Sequence, residues 1–138
     1  MTNLIDLNTY RDLQGITAIT SDFLLSSLID SVSELVKTYC GNSIVDYYYT
    51  SKVETLNIDW TTHVAQLTES PVNTIVSVEE RSSYSSPYTL LTTANHEYYF
   101  DTNTDSVFRT SGTSQYRPWA TGPGAVRISY TAGYAETP

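Results

Sequence analysis

Only one cysteine, Cys40, stands among the 138 residues, so no disulfide can form within the chain. Synthesis in a reducing compartment therefore fits better than a secreted, disulfide-stapled scaffold. Basic residues are nearly as scarce. Arg11, Lys37, Lys52, Arg81, Arg109, Arg117 and Arg127 are scattered singly against fifteen carboxylates, for a net charge of −8. Affinity for a phosphate backbone needs clustered Lys and Arg, which disfavours ordinary DNA binding. No apolar run nears the ~20 residues that cross a bilayer. The opening Met1-Thr2-Asn3-Leu4-Ile5-Asp6 has neither the basic region nor the apolar core of a signal peptide. No membrane partner is expected.

Catalytic and ligand-binding patterns are missing too. There is no Gly-x-Ser-x-Gly elbow, no His-Glu-x-x-His helix and no phosphate loop, since Thr121-Gly122-Pro123-Gly124 lacks the following Lys-Ser/Thr. Cys40, His63 and His96 are the conspicuous candidates for nucleophilic or acid–base work. Cys40 lies on the apolar side of a helix end, where a small buried hydrophobe is expected. His63 and His96 fall in polar, turn-like sequence and are expected at the surface. Asp101-Thr102-Asn103-Thr104-Asp105 begins like a calcium loop, but Ser106 and Gly112 stand where that motif needs Gly and Glu. A hairpin tip is the expectation. Neither enzymatic activity, nor a metal, nor a cofactor is expected.

What the chain does have is pattern. Folding at this length removes roughly 68% of the unfolded chain's surface, which is enough for one modest core, and a single domain over 1–138 is expected. Leu24, Leu28, Val32, Leu35, Val36 and Tyr39 recur at helical spacing, with Leu25, Ile29 and Cys40 widening the stripe. Ser27, Asp30, Ser31, Glu34, Lys37 and Thr38 fill the opposite face. This predicts a helix over 22–40, capped by Ser21 or Thr20 and ended by Gly41. The stripe is wide for a helix covering one small sheet and predicts contact with more than one neighbour. A short helix from Asn8 or Thr9 to Leu13, ended by Gly15, would precede it as a hairpin.

Beyond Gly41 the composition shifts. Ten of the twelve tyrosines lie there, with most of the valines and threonines, and such residues favour pleated surfaces. Strands are predicted over 47–56, 64–68, 75–81, 88–91, 98–100, 106–109 and 126–130, mostly antiparallel, with a long surface loop over 111–124. The fold class is α+β, with an N-terminal helical hairpin (1–41) and a β-rich remainder (42–138).

Three ordered segments add to this reading. The first is Asp22-Phe23-Leu24-Leu25-x-x-Leu28-Ile29 leading to Tyr39-Cys40-Gly41. The second is Ser70-Pro71-Val72 with Ile75-Val76-Ser77-Val78, and the third is Val126-Arg127-Ile128-Ser129-Tyr130-Thr131-Ala132-Gly133-Tyr134-Ala135, ending at Pro138. In this order and spacing they resemble the head-to-tail connector (adaptor) family of tailed bacteriophages, over nearly the whole chain. The resemblance singles out Leu24, Leu25, Leu28, Ile29, Val32, Tyr39, Gly41, Pro71, Val72, Ile75, Val78, Tyr130, Gly133 and Tyr134 as structural or interface residues. None of them carries chemistry.

The resemblance implies a virion neck subunit assembled in the host cytoplasm. It would form a homo-oligomeric ring of twelve copies beneath the portal protein and hand on to a stopper or tail-completion protein. Double-stranded DNA would pass through without sequence-specific binding, and the acidic balance suggests a carboxylate-lined channel. Two departures stand out. Asn42 replaces a basic residue common after the Gly, and relatives continue past the Ala-Gly-Tyr-x-x-x-Pro segment into a further helix, so no portal-anchoring role of that tail transfers here. Alternatives are a tail-completion or baseplate component, or a β-rich carbohydrate-binding module.

Overall fold

The computed structural model describes residues 2–17, 20–113 and 115–136. Two helices, α1 (Leu7–Gln14) and α2 (Asp22–Cys40), precede seven strands. These are β1 (Lys52–Ile58), β2 (Val64–Gln66), β3 (Val72–Glu80), β4 (Thr89–Leu91), β5 (Tyr98–Asp101), β6 (Ser106–Arg109) and β7 (Gly122–Ala132). The α+β, β-rich expectation holds.

Helix α1 starts earlier than its sequence suggests, because Asp6 and not Asn8 or Thr9 is the cap. Its carboxylate accepts from the backbone N–H groups of Asn8 and Thr9 at 2.9 Å. Those bonds, with the Thr9 hydroxyl, hold its pKa below the usual aspartate value. Helix α2 has the bounds its periodicity predicts. Its C-cap Gly41 is left-handed, at φ 72°, and donates to the Lys37 and Thr38 carbonyls. Its N-cap corrects the expectation: Ser21 occupies the position but makes no side-chain capping bond. The first turn is instead tied by an ion pair from Arg11 of α1 to Asp22.

All paired strands are antiparallel, in one sheet of order β1-β7-β3-β4 and another of order β2-β6-β5. Both sheets contribute to a shared core that includes Val78, Ala65, Val107, Val126, Ile128, Tyr130 and Trp119. Several predicted boundaries move: β3 starts at Val72, three residues before its predicted start, and β2 ends at Gln66. Residues 47–51 are turns and bends, so β1 starts at Lys52. The predicted 111–124 loop closes early, because β7 begins at Gly122. Strand β7 is the spine of its sheet, flanked by β1 and β3. Its start, Gly122–Ala125, is held by Ile58, which pairs with Gly122, by the Asn57 side chain, which accepts from the Gly124 N–H, and by the Arg81 N–H, which donates to the Ala125 carbonyl.

Polar latches lock the two sheets. Asp105, at the β5–β6 tip, accepts from the Ser70 hydroxyl at 2.6 Å and the Val72 N–H at 3.1 Å. Arg109 of β6 meets Glu80 of β3 at 3.1 Å, with both side chains largely buried.

The last strand ends at a crowded junction. Gly133 donates to the Pro71 carbonyl and Tyr134 to the Ile44 carbonyl, each at 2.8 Å. A Cβ on Gly133 would lie 2.1 Å from the Ile44 carbonyl oxygen, and its φ of 91° is itself strained for an L side chain. Gly15 has a similar φ of 65° but open space around it. Gly133→Ala should therefore cost well over the ~1 kcal/mol of backbone strain expected at Gly15→Ala. Urea midpoints of the two variants against wild type measure the difference, and equal midpoints would show that the junction is not tight.

Candidate assembly surface

The buried stripe of α2 is Ile29, Ser33 and Lys37, spaced four residues apart and largely polar. This reverses the expected orientation. Lys37, placed by pattern on the solvent face, is 5% exposed, whereas Leu24, Leu28, Val32, Leu35 and Tyr39 are exposed. Cys40 is exposed as well, contrary to the expectation of a buried small hydrophobe. The reason is what α2 packs against. Its inner face meets the backbone of the segment before α1, which needs hydrogen-bonding partners, and the Asp46 carboxylate of the loop after Gly41.

The segment Thr2–Asp6 crosses α2 as a strap. Lys37 Nζ donates to the Thr2 carbonyl at 2.6 Å and to both oxygens of Asp46 at 2.9 Å. The Thr2 N–H donates to Asp46 at 2.8 Å, the Leu4 N–H to Ser33 Oγ at 3.1 Å, and the Asn3 amide to Asp30 at 2.6 Å. All three ammonium protons of Lys37 thus have acceptors, which a buried charge requires.

Beside the strap lies an apolar groove of about 390 Å³, walled by Leu25, Leu28, Val32 and Val36 of α2 and by Leu4, Ile5 and Tyr10 opposite. On the same face of the helix, interleaved with Leu28 and Val32, Leu24, Leu35 and Tyr39 are 61%, 68% and 92% exposed. Large contiguous apolar surface of this kind marks an interaction site on a folded protein. Leu25 is half-buried and Ile29 buried, so the family-like helix residues split between the inner face and the open one.

The remaining family-like residues gather elsewhere. Val72, Val78 and Tyr130 lie in the sandwich core with Ile75 packed against it, and adjacent strands pair Ile75 with Tyr130. Pro71 follows a cis peptide bond and meets Gly133, while Tyr134 is 45% exposed. Gly41, Pro71 and Gly133 are fold punctuation, as their residue types suggest.

No protein-family model and no curated protein matches this chain. The fold is similar to that of a solved chain from the neck of an empty GTA particle, a phage-like gene transfer agent, computed with C6 symmetry. The TM-score is 0.64 at 15% identity, over 97% of this chain and 68% of that one.

Chemical groups for catalysis do not converge among the described residues. No group of three or more His, Cys, Asp or Glu side chains that could hold a metal occurs among them. No described helix is long and apolar enough to cross a membrane. His96 sits at the surface in a turn, with φ 53°, and His63 is exposed before β2. Asp101 and Asp105 flank the β5–β6 hairpin tip, as their spacing suggests. Backbone and side-chain bonds from Asn103 and Thr104 hold Asp101 below the usual range.

Sequence pattern missed the buried carboxylates. Burial pushes Glu69 upward, but Lys52 and the Ser43 N–H and hydroxyl outweigh it, so its pKa falls below the usual glutamate value. The Arg127 guanidinium, 2.7 Å away, does the same for Glu79. Folded-state carboxylates depressed in this way stabilise the protein above their unfolded pKa, and that contribution is lost as pH falls through the folded value. The urea midpoint should thus hold through neutrality and drop below about pH 4.3, the ordinary glutamate value. Glu69→Gln should lower the midpoint at pH 7 and flatten the acid limb. A variant whose acid limb matches wild type would remove Glu69 from this role.

Proposed function

We propose that this chain is a structural subunit of the neck of a tailed-phage-type particle, a connector that forms a ring beneath the portal and acts by shape, without catalysis. The carrying observation is the open apolar arc of α2 on a fold shared with a particle neck. The order and spacing of the connector-like segments support the same reading. A closed ring needs two different complementary surfaces on each subunit, and the exposed apolar face of α2 supplies one of them.

Magnitudes suit reversible assembly. A fully buried Leu or Val contributes about 1.5–3 kcal/mol, so half-burying five such side chains supplies roughly 5 kcal/mol. That is near the low end of the ~4–15 kcal/mol association cost. A single contact is therefore weak, and ring closure, in which every subunit uses both surfaces, makes the assembly cooperative. Twelve copies, with portal above and a stopper or tail-completion protein below, is the arrangement proposed. The net charge of −8 favours a channel wall that repels DNA passing through it.

Electron microscopy of the purified protein mixed with portal assemblies tests this directly, by ring, symmetry and position. Leu28→Asp and Val32→Asp should abolish rings. Both side chains are over half exposed, so stability should stay within about 0.5 kcal/mol of wild type. Normal rings from either variant would sink the proposal.

A second reading, a carbohydrate-binding module, has one observation behind it. Tyr98, Tyr99 and Tyr116 line a cavity of about 260 Å³ with His96 and Thr110. Glycan-array binding that Tyr99→Ala abolishes would shift the assignment to it.

A further inference from the structure

We infer that the cleft at the end of the sheets remote from α2 is a docking site for an extended acidic segment of a partner protein, which places one carboxylate between Arg117 and Trp119. The cleft, of about 540 Å³, opens where β3 and β6 end and the chain approaches β7, with Glu80, Glu97, Arg109, Arg117 and Trp119 in its walls. Strand β7 runs from this end to the Gly133 junction, roughly 30 Å of strand away. The site is thus separate from the apolar arc of α2, and the inference needs no ring.

Unmatched groups on the walls decide the ligand. From Ser106 to Ala135 the chain has three arginines and no carboxylate, although the protein carries a net charge of −8. Glu79 matches Arg127, and Glu80 matches Arg109 while its second oxygen accepts from the Ala120 N–H at 2.7 Å. The exposed side chain of Arg117 has no partner among the described residues. Across Ser82, Arg81 donates only to the carbonyls of Tyr84, Pro123 and Gly124, so no carboxylate balances its charge either. Trp119 adds a second unmet demand. It is 2% exposed and its indole N–H reaches no acceptor, which costs free energy until one is provided. A carboxylate entering past Arg117 answers both. Glu97 spends one oxygen on the Thr92 N–H and hydroxyl and forms no ion pair among the described residues, so the walls carry charges of both signs. A nucleic-acid backbone, charged at every residue, would meet that repulsion repeatedly, whereas a single carboxylate need only sit on the Arg117 side. Pro87, Leu91 and Pro118 give the rest of an extended peptide an apolar wall to lie on.

The test uses the full chain with Trp60→Phe. Trp60 is 82% exposed, so the core is untouched and Trp119 is left as the only indole. Titration with the acetylated, amidated peptide Pro-Ala-Glu-Ala-Pro should move the indole N–H resonance of Trp119 downfield and saturate, with a Kd on the order of millimolar. The same peptide with Gln for Glu should bind about tenfold more weakly, the loss expected for one charged hydrogen bond. Arg117→Ala should weaken the Glu peptide by a similar factor at an unchanged urea midpoint, and Arg117→Lys should keep part of the affinity. Equal binding of the two peptides would overturn the carboxylate as the recognised group. Oligothymidylate that moves the resonance at lower concentration than the Glu peptide would overturn the choice of partner in favour of nucleic acid. No saturable shift with either peptide, or full affinity in Arg117→Ala, would overturn the site. The neck reading survives each of these results, because rings and not peptide binding decide it.

Discussion

The close approach of Gly133 to Ile44 ties the two halves of the molecule together. Helix α2 ends at Gly41, and the loop that follows brings the Ile44 carbonyl to where a Cβ of Gly133 would be. Three segments far apart in sequence meet there: the loop after the long helix, the Pro71 start of β3, and the exit of β7. Each contributes a backbone group bonded to another, so the direction in which α2 leaves the sandwich is set by hydrogen bonds within about one turn of chain. Because the helix takes its orientation from this junction and from the strap, it needs no apolar face against the sheet. Its apolar residues are left free to face outward.

That inversion explains why a polar stripe is the buried one. In an amphipathic surface helix, burial of leucines on a core usually decides orientation. Here the inner face of α2 meets the backbone of the 2–6 segment, whose N–H and C=O groups cannot be left unpaired, beside the Asp46 carboxylate. Ser33, Lys37 and Asp46 satisfy them. The Lys37 pair is not evidence of high stability, since burying two charges costs nearly as much as their attraction returns. It fixes position locally: the Lys37 ammonium holds the Thr2 carbonyl of the strap while the Asp46 carboxylate takes its other protons and also accepts the Thr2 N–H.

The α+β class, the bounds of α2 and most strands were legible because each depends on local signals: the 3.6-residue period, Gly41, and alternation bounded by Gly and Pro. The start of β7 is not legible in sequence, because Gly122 to Ala125 are composed like a loop and are held as strand by Ile58, Asn57 and Arg81 from distant segments, which is a tertiary effect. The opposite error occurred at Tyr47–Ser51, where β-prone tyrosines face solvent in turns after Ile44 with its positive φ of 64°. Hydrophobic periodicity located the arc of α2 but could not tell core from interface, since both demand the same residues. Lys37 was unreadable for a related reason. A lysine among Asp30, Glu34 and Thr38 looks solvated until the chain that crosses it is known, and that chain lies 35 residues away.

The same ambiguity accounts for what the surface can do. A helix whose leucines were consumed by its own core could offer neighbours only its charged flank, and acidic flanks on like subunits repel. By assigning its own packing to polar bonds, this chain leaves its apolar arc out of its own core. The core shared by the two sheets and the Gly133 junction hold the fold, while Leu24, Leu28, Val32 and Leu35 remain exposed.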